Sequence, residues 1–376
     1  MSMTEAALNP VDPGYPPGRH PDLPPPSMTV GPVGWLRKNL FSSIGNTLLT
    51  VATLYLLWLV VPPVLDWAIF DANFGATSKA ECVLPGACWA VVEVRFDQFM
   101  YGFYDAGQTW RVNLAGILLI VAVAPLLFDK VPYRRHLVWF SLVYPFIAFW
   151  LLVGGLGLEY EPTSKWGGLL VTIVSGVVGI GASLPIGILL ALGRRSKLPV
   201  LRMACIGFIE FVRGVPLITI LFMSSVMLPL FLPEGVTFDK FLRALIGVAL
   251  FASAYMAEVV RGGLQAIPKG QYEAAMALGL GYWRAMYLII LPQALRIVIP
   301  GIVNTFIGLF KDTTLLLIIG IFDLLGIARA AVSDANWLGL HTETYVFVGL
   351  IFFICCFGMS RYSLYLEKKL RVGHRR

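Results

Sequence analysis

The sequence has few charged residues and few of the residues that usually perform catalysis. Only 14% of its 376 residues are Asp, Glu, Lys or Arg, and it contains four histidines and five cysteines. No Gly-Lys dipeptide occurs, so the phosphate-binding GxxxxGK[ST] loop is absent and the chain cannot hydrolyse ATP by that route. The histidines stand apart from carboxylate clusters, and the cysteines lack CxxC spacing. We therefore predict no catalytic residue, no bound metal and no cofactor.

Apolar residues dominate the chain and predict that it lies in a membrane. The residues are 57% hydrophobic, and the mean hydropathy of +0.76 is too high for a soluble domain. A helix needs about 20 apolar residues to cross the hydrocarbon layer. We predict an all-α polytopic membrane protein with about eight transmembrane helices; two short segments leave seven or nine open. The predicted segments are residues 41–65, 112–128, 137–158, 167–192, 215–232, 241–260, 297–322 and 345–359.

The distribution of Lys and Arg predicts the orientation of these helices. A net charge of +7 could indicate nucleic-acid binding, but most of the 29 Lys and Arg residues lie in alternate connections between apolar segments. Connections rich in these residues stay in the cytoplasm, so both termini are predicted to be cytoplasmic, and no nucleic acid is expected as a partner. The connection 66–111 is then external. Its Cys82 and Cys88 could form a disulfide, whose geometry the sequence does not fix.

Composition divides the chain into four parts. Residues 1–34 contain nine prolines and few apolar residues, so they cannot form a core. The predicted parts are a disordered tail at 1–40, an extension at 41–166 with three transmembrane helices and the external loop 66–111, a five-helix core at 167–366 with a cytoplasmic connection at 261–296, and a basic tail at 367–376.

A polar island at residues 267–294, IPKGQYEAAMALGLGYWRAMYLIILPQA, lies between two long apolar segments. Pro268 favours the start of a helix, while Gly279 and Gly281 break it before a second apolar and aromatic helix that Pro292 should end. Within the first helix, Ala274 lies one turn from Leu278, and Ala275 lies one turn from Gly279. These small residues predict a smooth face that another surface can approach closely.

The spacing of the island resembles a known signature. It has Glu-Ala-Ala, three residues, glycine, nine residues, isoleucine, one residue and Leu-Pro, which is similar to the cytoplasmic loop of bacterial ABC importer permeases. The matching residues are Glu273, Ala274, Ala275, Gly279, Ile289, Leu291 and Pro292. The resemblance implies that this loop, including Leu278, docks on a separate ATPase subunit. An ordinary amphipathic connection is the alternative.

The resemblance covers roughly residues 167–366 and is similar to the polar-amino-acid (histidine, glutamine and glutamate) permeases, of the general L-amino-acid type. It implies a type I ABC importer core in the bacterial inner membrane. It also implies a set of partners: an ATPase dimer, a second permease subunit or another copy of this chain, a periplasmic amino-acid-binding protein, an amino-acid substrate and the lipid bilayer.

One face of the seventh apolar segment is polar and small. The residues that recur at steps of three and four are Gly301, Asn304, Thr305, Gly308, Lys311 and Asp312. Charges within a span must face protein or water, so this face is the candidate substrate pathway. A buried ion pair that only orients helices is the alternative. Ser175 lies in a stripe of small residues that favours helix packing, although it could also line the pathway.

Two further acid and base pairs lie near span ends. The stretch IGFIEFVRGVP resembles the same permeases, with Val215 in place of threonine, and places Glu210 one turn from Arg213. Glu258 likewise lies one turn from Arg261. We expect each pair to form an ion pair that acts as a gate or scaffold.

The leading hypothesis is a permease subunit of a binding-protein-dependent importer for polar or general L-amino acids. It would work by alternating access, driven by ATP hydrolysis on a partner, and would not itself be an enzyme. An ion-coupled secondary amino-acid carrier is the alternative, with Lys311, Asp312 and Glu258 as its coupling charges. A membrane enzyme is a third class, and it would need a catalytic constellation that the sequence lacks.

Overall fold

The computed structural model describes residues 31–83, 85–233, 235 and 238–371. Within these residues the chain is helical, and extended segments form only isolated bridges and no strands. The predicted all-α class is therefore confirmed. The chain divides into two compact units, of which the first ends at Ala72 and the second begins at Asn73.

The first unit consists of α1 (Gly31–Asn39) and α2 (Ile44–Leu65), followed by a π turn at Asp66–Phe70. Helix α1 occupies part of the tail predicted to be disordered, because Pro32 is preorganised for a helix start. Residues 1–30 of that tail lie outside the described residues. Helix α2 is apolar on all sides, and none of its residues is buried within the chain.

The second unit contains the remaining helices. They are α3 (Ala90–Val94), α4 (Phe96–Tyr101), α5 (Thr109–Leu127), α6 (Arg134–Val153), α7 (Gly168–Arg194), α8 (Pro199–Gly214), α9 (Leu217–Phe222), α10 (Lys240–Ala266), α11 (Lys269–Ala277), α12 (Tyr282–Ala285), α13 (Leu291–Ile297), α14 (Ile299–Asp312), α15 (Leu324–Val332) and α16 (His341–Arg371). Short 3₁₀ and π segments join several of them. The last helix reaches Arg371, so the predicted basic tail begins inside α16, and residues 372–376 lie outside the described part.

Seven helical segments in the described residues are long and apolar enough to cross a membrane. They are Ile44–Phe70, Ala106–Leu127, Arg134–Val153, Gly168–Arg194, Lys240–Ala266, Ile299–Ile319 and His341–Leu370. A bent pair, Pro199–Gly214 with Leu217–Phe231, brings the number to eight if it counts as one span. This range agrees with the predicted number of about eight.

The bent pair corrects the straight span predicted at residues 215–232. Its two halves meet at 107°, and the second half passes from α to π to 3₁₀ geometry. Pro216 lies at the bend, and Pro229 lies in the final 3₁₀ turn. Neither proline has an N–H to donate, so a continuous α-helical ladder cannot form through them.

Helix α7 packs along α10 and also against α14. A Cβ atom on Gly187 would lie 2.7 Å from the Met256 Cβ of α10, and one on Gly176 would lie 2.8 Å from Phe310 Cδ2 of α14. The small residues of α7 therefore permit close approach of three helices, as in other membrane bundles.

Residues 73–105, here called the cap segment, fold onto the connection between α15 and α16. Cys82 and Cys88 are joined by a disulfide. The Cys88 N–H donates a hydrogen bond to Glu343 Oε1 at 3.2 Å. Trp337, only 2% exposed, forms a buried cluster with residues of α3. The sequence alone assigned no fold to this part of the chain.

Polar side chains provide further ties between the cap segment and the same connection. Lys79 Nζ donates to the Leu338 carbonyl at 2.7 Å, and Arg95 forms an ion pair with Asp334. Phe99 of α4 is buried in a cluster with residues of α15. The cap segment is thus fastened to the five-helix core by apolar and polar contacts, and its own disulfide closes it.

The hairpin of α5 and α6 is fastened to α16. The Tyr362 hydroxyl donates to the Leu127 carbonyl at 2.7 Å. Asp129, in the turn between α5 and α6, pairs with Lys369 and with Arg134. The hydrogen bond from Lys369 lowers the pKa of Asp129 below its ordinary value. The described part of the extension from residue 73 onward therefore packs on the core at both ends of α16.

Candidate functional site

Helix α11 ends in a turn that requires glycine. The Gly279 N–H donates to the Met276 carbonyl at 2.9 Å, and the Leu280 N–H donates to the Ala275 carbonyl at 3.1 Å. This pattern of two bonds is a Schellman motif, whose central residue adopts a left-handed conformation. Gly279 has φ of 72°, and no atom lies within 4 Å of the position that a Cβ would occupy. The glycine is therefore needed for its backbone conformation, and the space beside it is open.

The outer surface of α11 and α12 is unusually apolar. Glu273, Ala274 and Gly279 are exposed, and Leu278 is 76% exposed. Ala275, in contrast, is fully buried, so it does not belong to the smooth outer face that the sequence predicted. The apolar side chains exposed on this surface, here called the α11 patch, are Met276, Leu278, Tyr282, Trp283, Tyr287 and Leu288. Several large exposed apolar side chains on one short loop indicate an interaction surface.

The helix in the second half of the loop continues beyond Pro292, where the sequence predicted that it would end. A π turn at Met286–Ile290 follows α12, and α13 then begins with Pro292 in its first turn. Helical backbone therefore continues from α12 through the π turn and Pro292 into α13, where the sequence predicted that Pro292 would end a helix. The π turn directly before Pro292 lets the helix pass a residue that has no N–H. Ile289 and Leu291 are half-buried against the apolar cluster beneath the loop. They support the loop from inside, while Pro292 is exposed.

A cluster of charges lies where α7, α8 and α10 end. Arg194 Nη1 donates to Glu258 Oε1 at 2.7 Å and to Glu210 Oε1 at 3.0 Å. Arg261 donates twice to Glu258, at 2.7 and 3.0 Å, and Arg213 lies 3.8 Å from Glu258. The predicted pair of Glu258 with Arg261 forms. The predicted pair of Glu210 with Arg213 does not, because each pairs with a residue of another helix.

Arg194 is a member of this site that sequence reasoning missed. In the sequence, its position in a basic turn indicates only the orientation of the helices. Glu258 has three guanidinium groups around it and is 15% exposed. The sequence does contain one indication: arginines outnumber carboxylates near these span ends. This excess predicts that one carboxylate pairs with arginines of more than one helix.

The polar face of α14 is present and largely open. Asn304 is exposed and borders a cavity of about 160 Å³ together with Ser360 and Ser363 of α16. Thr305 is half-buried, and its hydroxyl donates to the Gly301 carbonyl at 2.9 Å. No atom lies within 4 Å of a Cβ placed on Gly308.

The two charges of α14 do not pair with each other. Lys311 is exposed and Asp312 is half-buried, and neither takes part in an ion pair within the described residues. Adjacent residues of a helix point in different directions, which separates the two charges. Within the described residues, Lys311 and Asp312 therefore do not form the ion pair that the alternative requires. Ser175 is fully buried between packed helices, and its hydroxyl has no hydrogen-bond partner among the described residues.

A buried carboxylate caps α15 at the end of the bundle that carries the cap segment. Asp323 accepts hydrogen bonds from the N–H groups of Leu325 and Gly326, at 3.2 and 2.9 Å. The Thr172 hydroxyl of α7 accepts from the Leu324 N–H at 3.1 Å. Burial raises the pKa of Asp323 to about 6, against the opposing effect of the two N–H groups. Sequence reasoning did not single out this residue.

Comparison with known proteins identifies the family. The family model "Binding-protein-dependent transport system inner membrane component" matches residues 183–372. The chain is 54% identical over 356 residues to the inner membrane amino-acid ABC transporter permease protein YhdY of Escherichia coli (strain K12), covering 94% of this chain and 97% of that protein.

Two other relatives differ in the length that they share with this chain. The glutamate/glutamine/aspartate/asparagine transport system permease protein BztC of Rhodobacter capsulatus is 45% identical, covering 94% of this chain and 96% of that protein. The probable amino-acid ABC transporter permease protein YckA of Bacillus subtilis (strain 168) is 36% identical over 202 residues, covering 54% of this chain and 87% of that protein. The family model matches half of the chain, and a relative aligns along nearly all of it. The chain therefore belongs to the inner membrane components of binding-protein-dependent transport systems.

Proposed function

We propose that the chain is the permease subunit of an ATP-driven importer for polar or general L-amino acids. The substrate class is supported by the names of the relatives, which concern amino acids in general or the acids and amides of glutamate and aspartate. The core at 167–366 would carry transport, and the extension at 41–166 would be an addition to it. The shorter Bacillus subtilis relative, which aligns with only 54% of this chain, supports that division.

The α11 patch would be the docking surface for an ATPase subunit, and it is the observation that carries the proposal. Leu278 and Trp283 are 76% and 70% exposed, although large apolar side chains in contact with water are unfavourable. A partner that covers them would remove this cost. The chain itself has no phosphate-binding loop, so the hydrolysis would take place on that partner.

The α11 end of the bundle would face the cytoplasm, together with both termini, and the cap segment would face the periplasm. The distribution of Lys and Arg supports this orientation. The disulfide between Cys82 and Cys88 also fits an oxidising compartment. A membrane-impermeant thiol reagent, applied to intact cells after mild reduction, should label this pair. Labelling only after the reagent enters the cytoplasm would show the opposite orientation.

The open face of α14 would form the substrate pathway together with a second permease subunit or a second copy of this chain. Asn304 and Thr305 offer neutral donors and acceptors, and Lys311 and Asp312 offer one charge of each sign. Such a face can bind the amino and carboxyl groups common to all amino acids without selecting one side chain. Broad specificity would then depend partly on a periplasmic binding protein.

Alternating access would join these parts. Movement of the ATPase subunits would displace α11, and the helices behind it would open the pathway to one side at a time. Co-purification through a tag on this chain, with mass identification of bound proteins, should recover an ATPase, and uptake in vesicles should require ATP. Uptake that persists after ATP depletion would contradict the proposal and favour an ion-coupled carrier.

A further inference from the structure

Two adjacent side chains of α11 contact opposite neighbours. Gln271 Oε1 accepts a hydrogen bond from Gln293 Nε2 of α13 at 3.1 Å. The hydroxyl of Tyr272, the next residue, accepts from Arg195 Nη1 at 3.1 Å and donates to the Leu264 carbonyl of α10 at 3.3 Å. Successive side chains of a helix diverge by about 100°. One turn of α11 is thus bonded both to the helix that leads into α14 and to the ends of α7 and α10.

The contacts of Tyr272 form a closed group. The Arg195 guanidinium lies 5.6 Å from the centre of the Tyr272 ring, and Arg195 Nη1 also donates to the Leu264 carbonyl at 3.3 Å. The ring packs against the buried apolar cluster that contains Leu264, Ile267 and Ile290. Each of the three groups therefore contacts the other two, and the ring fixes the orientation of the hydroxyl.

Arg195 connects this group to the charge cluster. It caps the end of α7 and directly follows Arg194, which binds the carboxylates of α8 and α10. Arg195 and Tyr272 are 77 residues apart in the sequence, so no short stretch of chain joins α11 to α7. Among the described residues, the Arg195 to Tyr272 bond is the hydrogen bond that connects these two helices.

Resting on the proposed function, we infer that Tyr272 is the positioning residue through which displacement of α11 reaches α7. The outer face of α11 carries the α11 patch, where a partner would push or pull. On the inner face, Ala275 is buried but offers only a methyl group. Tyr272 provides a directional polar link, and loss of its hydroxyl should leave docking intact while weakening the transfer of motion.

The test uses the whole complex, purified through a tag on this chain and reconstituted in liposomes, with L-glutamate as the probe. ATP hydrolysis and uptake are measured separately. For Tyr272→Phe we expect uptake per ATP hydrolysed to fall at least about five-fold, because the variant loses the hydroxyl's bonds to Arg195 and Leu264 and one net hydrogen bond corresponds to about that factor. The KM for uptake and the amount of co-purified ATPase should not change. A merely structural role would instead lower the amount of complex and leave the ratio of uptake to hydrolysis unaltered.

Arg195→Gln should produce the same kind of defect, and the defect of the double variant should be smaller than the product of the two single defects, because both variants remove the shared Arg195–Tyr272 bond. Tyr160→Phe is the matched control, since Tyr160 is 67% exposed and lies outside both the α11 patch and the polar face of α14; its ratio should equal that of the wild type. If Tyr272→Phe fails to accumulate, Arg195→Gln carries the test, because the Arg195 side chain lies outside the apolar cluster.

The outcomes separate the two proposals. An active wild-type complex with an unchanged ratio in both single variants would overturn the role of Tyr272 alone. A double variant whose defect is the product of the two single defects would also overturn it. A wild-type complex without ATP-dependent uptake would overturn the proposed function, and this inference with it.

Discussion

The two ends of the helix bundle are built in opposite ways. At one end, the cap segment is joined to the connection between α15 and α16 by an apolar cluster around Trp337 and by the Arg95–Asp334 ion pair, and its own disulfide closes it. At the other end, α11 is held by the contacts of Tyr272 and Gln271, and the α11 patch remains exposed. The first end is held together by buried contacts within this chain, although Phe74, Val83 and Phe103 are exposed there, whereas the second end is held by few such contacts.

This difference separates residues whose contacts lie within the chain from residues that are available to the proposed partner. Buried side chains that satisfy each other need no further subunit, and changes among them should alter stability. Helix α11 has few contacts within the chain. Changes to its exposed apolar side chains should therefore affect transport through the bound partner and leave stability unchanged. Variants at the two ends can therefore separate loss of function from loss of stability.

The largest effect is expected at Gly279. Gly279→Phe should abolish uptake while the protein still inserts and accumulates, because the new ring would occupy the open space of the docking surface. Uptake and membrane abundance are measured in the same cells. Wild-type uptake by this variant would contradict the docking role of the loop.

Two controls separate the ring from the backbone at this position. Gly279→Asn places a small side chain on a residue type that tolerates positive φ, so it should retain more uptake than Gly279→Phe. Gly270→Ala adds a methyl group in open space on the same helix, at a residue without positive φ, and should behave as the wild type. Equal loss in the Asn and Phe variants would assign the effect to any added side chain.

The next effect is expected at the charge cluster behind α11. Glu258→Gln would leave three guanidinium groups around a neutral amide. Because the cluster is only partly buried, the loss should be smaller than the cost of breaking a fully buried pair, which is about 3–5 kcal/mol. Glu210→Gln is the matched control, since Glu210 is 54% exposed and an exposed pair contributes about 0–1 kcal/mol. Thermal unfolding in detergent should show a large decrease for the first variant only. Similar melting temperatures would mean that Glu258 is not the central acid of the cluster.

The sequence predicted the parts of this site that depend on local pattern. The glycines of the loop, the polar face of α14 and the pairing of Glu258 with Arg261 all follow from spacing of three or four residues on one helix. What failed was pairing across helices. Glu210 binds Arg194, which lies 16 residues away, and no helical spacing relates the two positions.

Proline was the other source of error. Pro292 was expected to end a helix, yet helical backbone continues through it from the π turn at Met286–Ile290 into α13, because the π turn changes the hydrogen-bond pattern just before the proline. The fold of the cap segment could not be predicted either, because its contacts are with residues more than 200 positions later, such as Asp334 for Arg95. Patterns within one segment carry no information on such contacts.

A pH effect should distinguish the cap end from the α11 end. Because burial raises the pKa of Asp323 from 3.8 to about 6, its ionised form destabilises the fold above pH 6, by at most about 3 kcal/mol. This cost is lost as the pH falls from about 6 towards 3.8, because Asp323 then becomes protonated in the folded protein. Asp323→Asn keeps a capping acceptor without the charge, so its melting temperature should vary less between pH 5 and pH 7.5 than that of the wild type. An identical pH dependence would contradict the raised pKa.

Loss of the Cys82–Cys88 disulfide should have a smaller effect than the preceding changes, and it should lower stability without lowering uptake. Replacing Cys82 and Cys88 by serine removes a bridge across a short loop, which costs about 2 kcal/mol. The melting temperature should fall, and a reductant should lower the wild type to the same value while leaving the variant unaffected. Uptake at normal growth temperature should remain. Loss of uptake in a protein that is still abundant would show that the cap end also takes part in transport.

The smallest effect is expected on the open face between the two ends. Thr305→Asp would place a carboxylate where a half-buried hydroxyl now donates to the Gly301 carbonyl. A carboxylate on the substrate pathway attracts cationic side chains, so the ratio of arginine and lysine uptake to glutamate uptake should rise about five-fold, which corresponds to about 1 kcal/mol. Thr314→Asp is the matched control, because the Thr314 hydroxyl also donates to a carbonyl of the preceding turn but Thr314 lies beyond the end of α14. An unchanged ratio for Thr305→Asp at normal abundance would mean that the substrate does not pass this residue.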